Sequence, residues 1–107
     1  MSGIAQVVNS LGFGGLEGVA VRLANALAKT DLDSHVLLTS RASGELMERL
    51  SPEVATWRMG RRRAIDLAAV RRMSRYFDEK EILLVHSHNW VAAYMAQAAI
   101  HFAKSSP

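Results

Sequence analysis

The sequence has 107 residues, of which 50% are hydrophobic and 21% are charged, so it predicts one modest globular domain and not a disordered chain. It has no cysteine, which excludes a disulfide framework and thiolate metal sites and fits a reducing compartment. The formal net charge of +3 is only a mild basic excess. The N-terminus lacks the pattern of a signal peptide, and the late apolar stretch Val91–Ala103 is too short to span a bilayer, so we expect a cytoplasmic protein.

Hydrophobic periodicity predicts short apolar strands that alternate with amphipathic helices. The predicted strands are Ile4–Val8, His35–Thr39, Glu53–Met59 and Ile82–Val85. The predicted helices are Leu16–Lys29, Gly44–Leu50, Ile65–Phe77 and Val91–Ala103. This βαβαβαβα alternation predicts a Rossmann-like three-layer α/β sandwich, with a parallel sheet in the order 3-2-1-4 and right-handed crossovers.

A sheet of this order binds ligands outside the carboxyl ends of its strands, where the strand order reverses between strands 1 and 4. Two segments converge at that point, the loop Asn9–Gly15 and the segment His86–Trp90. We therefore expect the functional residues in these two segments.

The first of these segments is a glycine-rich loop between a strand and a helix. Such a loop offers backbone N–H groups and a positive helix end to a phosphate. The same glycines also suit a tight turn with nothing bound, and the sequence leaves both interpretations open. If Gly14 is the N-cap of the helix, Glu17 falls at the third helical position, where its carboxylate can reach back to the cap. We interpret Glu17 as a residue that shapes the loop.

The second segment carries two histidines. His86 and His88 are two residues apart on a predicted strand and therefore share one face. A metal site needs further ligands that the pattern does not supply, so we expect no metal. In the alternative without a ligand, one histidine packs in the sheet and the other caps the loop. We interpret His35 and His101 as scaffold residues.

Seven of the thirteen basic residues lie within eighteen positions and form an arginine cluster. They are Arg58, Arg61, Arg62, Arg63, Arg71, Arg72 and Arg75. The cluster is either a solvated helix face or a surface that docks on an anionic membrane, which would place the protein peripherally at the membrane. Nucleic acid is not an expected partner, because no aromatic residues are interleaved for stacking on bases.

A dinucleotide site is a further alternative. Gly12 and Gly14 begin a glycine fingerprint, but Glu17 occupies the place of its third glycine. Ser40 and Arg41 follow the second strand, where an NAD site has an acidic residue. Since an arginine there can accept a 2′-phosphate, an NADP-binding Rossmann domain stays an open hypothesis.

Four segments stand in a fixed order along almost the whole chain: Gly14–Glu17, Arg22–Leu27, His35–Thr39 and Leu84–Asn89. They are similar to the Gly-Gly-x-Glu loop, the helix, the second strand and the His-x-His strand end of one enzyme family. The chain resembles the N-terminal, acceptor-side domain of GT-B-fold glycosyltransferases of the family 4 type.

The resemblance implies transfer of a sugar from a nucleotide-sugar donor to an acceptor, with retained anomeric configuration and without a metal or other cofactor. It also implies two sets of residues at the cleft between two domains. These are Gly14, Gly15 and Glu17 beside the donor phosphates, and His86, His88 and Asn89 on the acceptor side.

The sequence departs from the family in extent. The family also needs a nucleotide-sugar-binding C-terminal domain, which residues 1–107 do not include, and Glu81-Ile82 replaces the usual aspartate before the fourth strand. We therefore expect a partial N-terminal domain that holds no catalytic residue and is inactive alone. An unpaired edge at the fourth strand predicts marginal stability or self-association. The alternative function is a non-catalytic domain that interacts with an anionic surface.

Overall fold

Four parallel strands form one sheet in the order β3-β2-β1-β4, as the alternating pattern predicts. The computed structural model describes residues 3–9, 15–39, 45–62 and 66–103. The strands are β1 (Gly3–Val8), β2 (Asp33–Leu38), β3 (Ala55–Arg58) and β4 (Ile82–Ser87). The helices are α1 (Gly15–Leu27), α2 (Leu67–Glu79) and α3 (Trp90–Phe102), with one 3-10 turn at Glu45–Arg49.

Helices cover both faces of the sheet, because side chains alternate between the faces along each strand. On one face, Val8 and Val36 pack with Ala20 and Ala24 of α1. On the other face, the core joins the sheet to α2 and α3. Its large members are Leu37, Met59, Met73, Tyr76, Phe77, Ile82 and Met95.

Helix α2 shows how the sequence specifies its packing. The side chain of Asp66 accepts a hydrogen bond from the backbone N–H of Ala69 at 3.1 Å and caps the helix. Met73 and Phe77, four residues apart, are fully buried, as the helical period predicts. Leu67, in the first turn, is 67% exposed.

Two predicted elements are shorter in the structure. The predicted helix Gly44–Leu50 is only the 3-10 turn in the part of this segment that the structure describes. The predicted strand Glu53–Met59 begins later, because a backbone hydrogen bond from Val54 to Ser51 closes a turn before it.

The outer edge of β4 has no strand beside it among the described residues. A register shift falls between its pairings with Gly3 and Ile4 of β1. Leu83 and Leu84 are 59% and 56% exposed there. Exposed apolar residues on an edge strand favour association, so self-association stays a prediction.

Within the described ranges, no helix is both long and apolar enough to cross a membrane.

Candidate functional site

The carboxyl ends of β1 and β4 lie side by side at the point where the strand order reverses. Gln6 of β1 is in register with His86 of β4. Helix α1 begins at Gly15, after β1, and Asn89 precedes α3, after β4. The structure thus brings Asn9, the start of α1 and residues 86–89 to one edge of the sheet, where ligands bind in such folds.

His88 is held inside this edge by β1. It is 8% exposed, and its backbone N–H donates to the carbonyl oxygen of Val7 at 3.0 Å. Its Nε2 lies 2.7 Å from Oε1 of Gln6, which is 2% exposed. Sequence analysis missed Gln6, although a single amide inside the apolar run Ile4–Val8 is a visible signal.

His86 lies beside His88 and is exposed. The ring centroids of the two histidines are 4.2 Å apart, which confirms that they share a face. His88 is therefore the histidine that packs in the sheet. The loop after β4 is capped by Asn89 and not by a histidine.

Burial lowers the pKa of His88, and the neighbouring His86 lowers it further. The carboxylate of Glu17 acts in the opposite direction and raises the pKa of His88. Glu17, near the start of α1, therefore lies at the same edge of the sheet as His86 and His88.

Asn89 is the N-cap of α3. Its Oδ1 accepts a hydrogen bond from the backbone N–H of Ala92 at 2.8 Å, and its carbonyl oxygen accepts one from Ala93. This capping fixes the entry into α3, and the role of Asn89 on the acceptor side stays a prediction. Gly15 is the first residue of α1, and Gly14 lies outside the described residues.

A second polar cluster at the same edge joins the ends of three strands. Oδ1 of Asn9 accepts hydrogen bonds from Thr39 Oγ1 at 2.8 Å and from Arg61 Nη2 at 2.9 Å. The backbone N–H of Arg61 also donates to the carbonyl oxygen of Thr39 at 2.7 Å. Sequence analysis placed Arg61 in the arginine cluster and did not find its contact with Asn9.

The structure divides the arginine cluster. Arg61 contacts the carboxyl edge, and Arg72 donates from Nε and Nη2 to the carbonyl oxygen of Met59. Arg71 and Arg75 instead line an exposed groove with Phe102 and with the acidic residues Asp78 and Glu79.

The remaining arginines of the cluster are Arg58, Arg62 and Arg63. Arg58 is the exposed last residue of β3. Arg62 is exposed and donates its backbone N–H to the carboxylate of Asp66 at 2.9 Å. Arg63 lies outside the described residues, as do Gly12, Ser40 and Arg41, on which the dinucleotide hypothesis depends.

No group of three or more histidine, aspartate or glutamate side chains suited to a metal occurs in the part of the chain that the structure describes. The edge instead offers imidazole, amide and carboxylate groups. Such groups donate and accept hydrogen bonds, which suits a ligand rich in hydroxyl groups.

Comparison with known proteins gives one match. The family model described as Glycosyltransferase Family 4 matches residues 13–107, which is most of the chain. No curated protein and no solved structure matches significantly.

Proposed function

Since the chain belongs to glycosyltransferase family 4, whose membership indicates a glycosyltransferase-type function, we propose that it is the acceptor-side domain of a sugar transferase with the GT-B fold. The enzyme would move a sugar from a nucleotide-sugar donor to an acceptor and retain the anomeric configuration. The observation that carries the proposal is the pairing of His86 and His88 at the carboxyl end of β4, beside β1, where the strand order of the sheet reverses.

The donor side of the proposed site is the start of α1. The N-terminus of a helix carries a partial positive charge and unpaired N–H groups, which favour a diphosphate. Gly14 and Gly15 have no Cβ to hinder that approach. Glu17 would repel a phosphate placed close to it, so we assign it to the shape of the loop and to the electrostatics of His88.

The acceptor side of the proposed site is the end of β4. His86 exposes an imidazole that can donate or accept a hydrogen bond from a hydroxyl group. His88 supports that ring at 4.2 Å. Asn89 fixes the direction of the chain after these histidines.

The test is a transfer assay of the protein expressed from its whole reading frame, beside residues 1–107 alone. Uridine, guanosine and adenosine diphosphate sugars serve as donors, and released nucleotide and glycosylated product are measured. We expect transfer with retained configuration by the longer protein only. No nucleotide release from any donor by either protein would contradict the proposal.

A matched pair of histidine variants locates the acceptor side. His86→Ala removes one hydrogen-bonding group, so we expect the KM for the acceptor to rise by about 2- to 10-fold. His101→Ala removes an exposed histidine of α3 and serves as the control. Equal effects of the two substitutions would argue against an acceptor site at the end of β4.

A second candidate function is docking on an anionic membrane surface. Phe102 is 61% exposed and lies in the groove with Arg71 and Arg75, which the acidic residues Asp78 and Glu79 also line. The exposed phenylalanine and the two arginines are the features of this groove that favour an anionic lipid surface.

Vesicles of phosphatidylglycerol and phosphatidylcholine test this candidate by co-sedimentation. We expect binding that weakens as salt is added and that the double substitution Arg71→Glu and Arg75→Glu abolishes. The double substitution Arg22→Glu and Lys29→Glu makes the same change in net charge at two exposed positions in and just after α1, and should leave binding unchanged. Binding that does not respond to salt would exclude this surface.

A further inference from the structure

Gln6 is a polar residue in β1, one of the two strands of the sheet that are almost entirely buried. It is 2% exposed, and its neighbours Ala5 and Val7 are fully buried. A buried amide is unfavourable unless it is hydrogen-bonded. The contact with His88 therefore explains how this position accommodates a glutamine.

The geometry of that contact determines where the proton of His88 lies. Oε1 of Gln6 is a carbonyl oxygen without a proton, so a hydrogen bond at 2.7 Å requires Nε2 of His88 to donate. In a neutral imidazole with a proton on Nε2, Nδ1 carries the lone pair.

The surroundings of His88 favour the neutral ring. Among the described residues, three groups that act on it are Gln6 of β1, His86 of β4 and Glu17 of α1. Burial and His86 lower the pKa of His88, and of the two titratable neighbours Glu17 is the one that raises it. A positive charge on both neighbouring rings would be repulsive at a centroid separation of 4.2 Å.

We propose that Gln6 is a positioning residue that holds His88 in the neutral Nε2–H tautomer, so that Nδ1 is a hydrogen-bond acceptor at the carboxyl edge of the sheet. His88 then accepts a hydrogen bond from a hydroxyl group of a bound sugar or polyol. This last step rests on the proposed function, whereas the tautomer rests on the contact between Gln6 and His88.

The first experiment measures the tautomer directly in residues 1–107. Long-range ¹H–¹⁵N spectra at about pH 7.5, above the ordinary histidine pKa of about 6.5, distinguish a protonated from an unprotonated ring nitrogen. We expect Nε2 of His88 to be protonated and Nδ1 to be unprotonated. A proton on Nδ1 would overturn the proposal, because the amide of Gln6 would then be the donor.

Two substitutions test whether Gln6 sets this state. Gln6→Met keeps a similar length and removes the acceptor, so we expect His88 to sample both tautomers. Gln6→Glu places a carboxylate at Nε2 and should raise the pKa of His88 by about 1 to 3 units. Gln97→Glu, on the exposed face of α3, is the matched control and should change neither quantity.

The variants remain informative if one of them does not fold, because the tautomer of the unsubstituted chain is measured independently. An Nε2–H tautomer that persists unchanged in Gln6→Met would overturn the role of Gln6.

Addition of glucose as a hydroxyl-rich probe then tests the role of His88 as a hydrogen-bond acceptor separately from the positioning role of Gln6. A shift of the Nδ1 resonance of His88 on titration supports the acceptor role of that nitrogen. If the tautomer is as expected and glucose moves no resonance of the edge, the acceptor role fails while the positioning role of Gln6 stands.

Discussion

Two histidines of this chain are buried to a similar extent but lie in different regions of the sheet. His35 is 4% exposed and His88 is 8% exposed, and each has one hydrogen-bonded ring nitrogen at 2.7 Å from its partner. His35 lies near the amino end of β2, against the hydroxyl of Tyr76 in α2. His88 lies just beyond the carboxyl end of β4.

The difference concerns what surrounds the second ring nitrogen. Nε2 of His35 is buried without a hydrogen-bond partner among the described residues, and a Cβ on Gly3 would approach it to 3.1 Å. His88 instead adjoins the exposed ring of His86. Burial alone therefore does not distinguish the two histidines, and it is the position of His88 at the carboxyl edge of the sheet that makes it a candidate site residue.

The largest expected effect is a difference in how much the two histidines contribute to the free energy of unfolding. His35→Ala leaves the buried hydroxyl of Tyr76 unpaired and opens a cavity, so we expect a loss of about 2–4 kcal/mol in the free energy of unfolding. His88→Ala leaves Gln6 unpaired at an edge that water can reach, and we expect a loss of about 1–2 kcal/mol.

Urea unfolding of the two variants measures this difference, with the exposed His101→Ala as control. Equal losses at positions 35 and 88 would remove the distinction between a scaffold histidine and an edge histidine.

Most of the fold could be predicted from the sequence, because each element carries its own period. Apolar runs specify β1 and β2, and the buried face of α2 follows the helical spacing of Met73 and Phe77. The strand order follows from the alternation of elements and from the handedness of crossovers.

The contacts within the candidate site could be predicted less well, because they join residues far apart in sequence. Gln6 and His88 are 82 positions apart, and Asn9 and Arg61 are 52 positions apart. No local period encodes such pairs. The sequence predicted that His86 and His88 share a face, since that depends only on the alternation of a strand.

Replacing one glycine by alanine in each of the two regions adds a single methyl group and compares how tightly the regions are packed. At Gly3, a Cβ would lie 2.8 Å from Cδ1 of Ile82 and 3.1 Å from the His35 ring. Overpacking of this kind should destabilise Gly3→Ala by about 1–3 kcal/mol.

The matched substitution is Gly18→Ala in α1, near the carboxyl edge. The nearest atom to its Cβ is Nη1 of Arg22 at 3.4 Å, the end of a flexible side chain. Because alanine favours a helix over glycine, we expect a gain of up to about 1 kcal/mol. Thermal unfolding measures both variants, and destabilisation at position 18 would contradict the open environment that we describe there.

Stability should also depend on pH through both buried histidines. Burial is the main cause that lowers the pKa of each ring in the folded chain. The unfolded chain therefore binds protons first as the pH falls below about 6.5. The contribution of each neutral histidine to the free energy of unfolding is fully present above that pH. It decreases as the pH falls from there to the folded pKa values, by at most about 1.4 kcal/mol per pH unit for each histidine.

Urea unfolding at about pH 7.5, 6.5 and 5.5 tests this expectation. His35→Gln should remove the contribution of one histidine and reduce the slope, whereas Gln97→Ala, at an exposed position of α3, should leave it unchanged. A stability that rises as the pH falls through this range would contradict the sign.

The smallest expected effect concerns two carboxylates, each of which raises the pKa of a histidine that burial lowers. Asp33 raises the pKa of His35, and Glu17 raises the pKa of His88. Asp33→Asn should therefore lower the pKa of His35 alone, and Glu17→Gln should lower the pKa of His88 alone. NMR titration of the ring resonances measures both values in each variant.

Measuring both histidine pKa values in both carboxylate variants shows whether the two regions are electrostatically independent. At His35, only burial affects the pKa more than Asp33 does. At His88, both burial and His86 affect the pKa more than Glu17 does. We therefore expect His86→Ala to change the pKa of His88 more than Glu17→Gln does, and in the upward direction. If Glu17→Gln instead moved the pKa of His35, the two ends of the sheet would be coupled, and stability and the candidate site could not be changed separately.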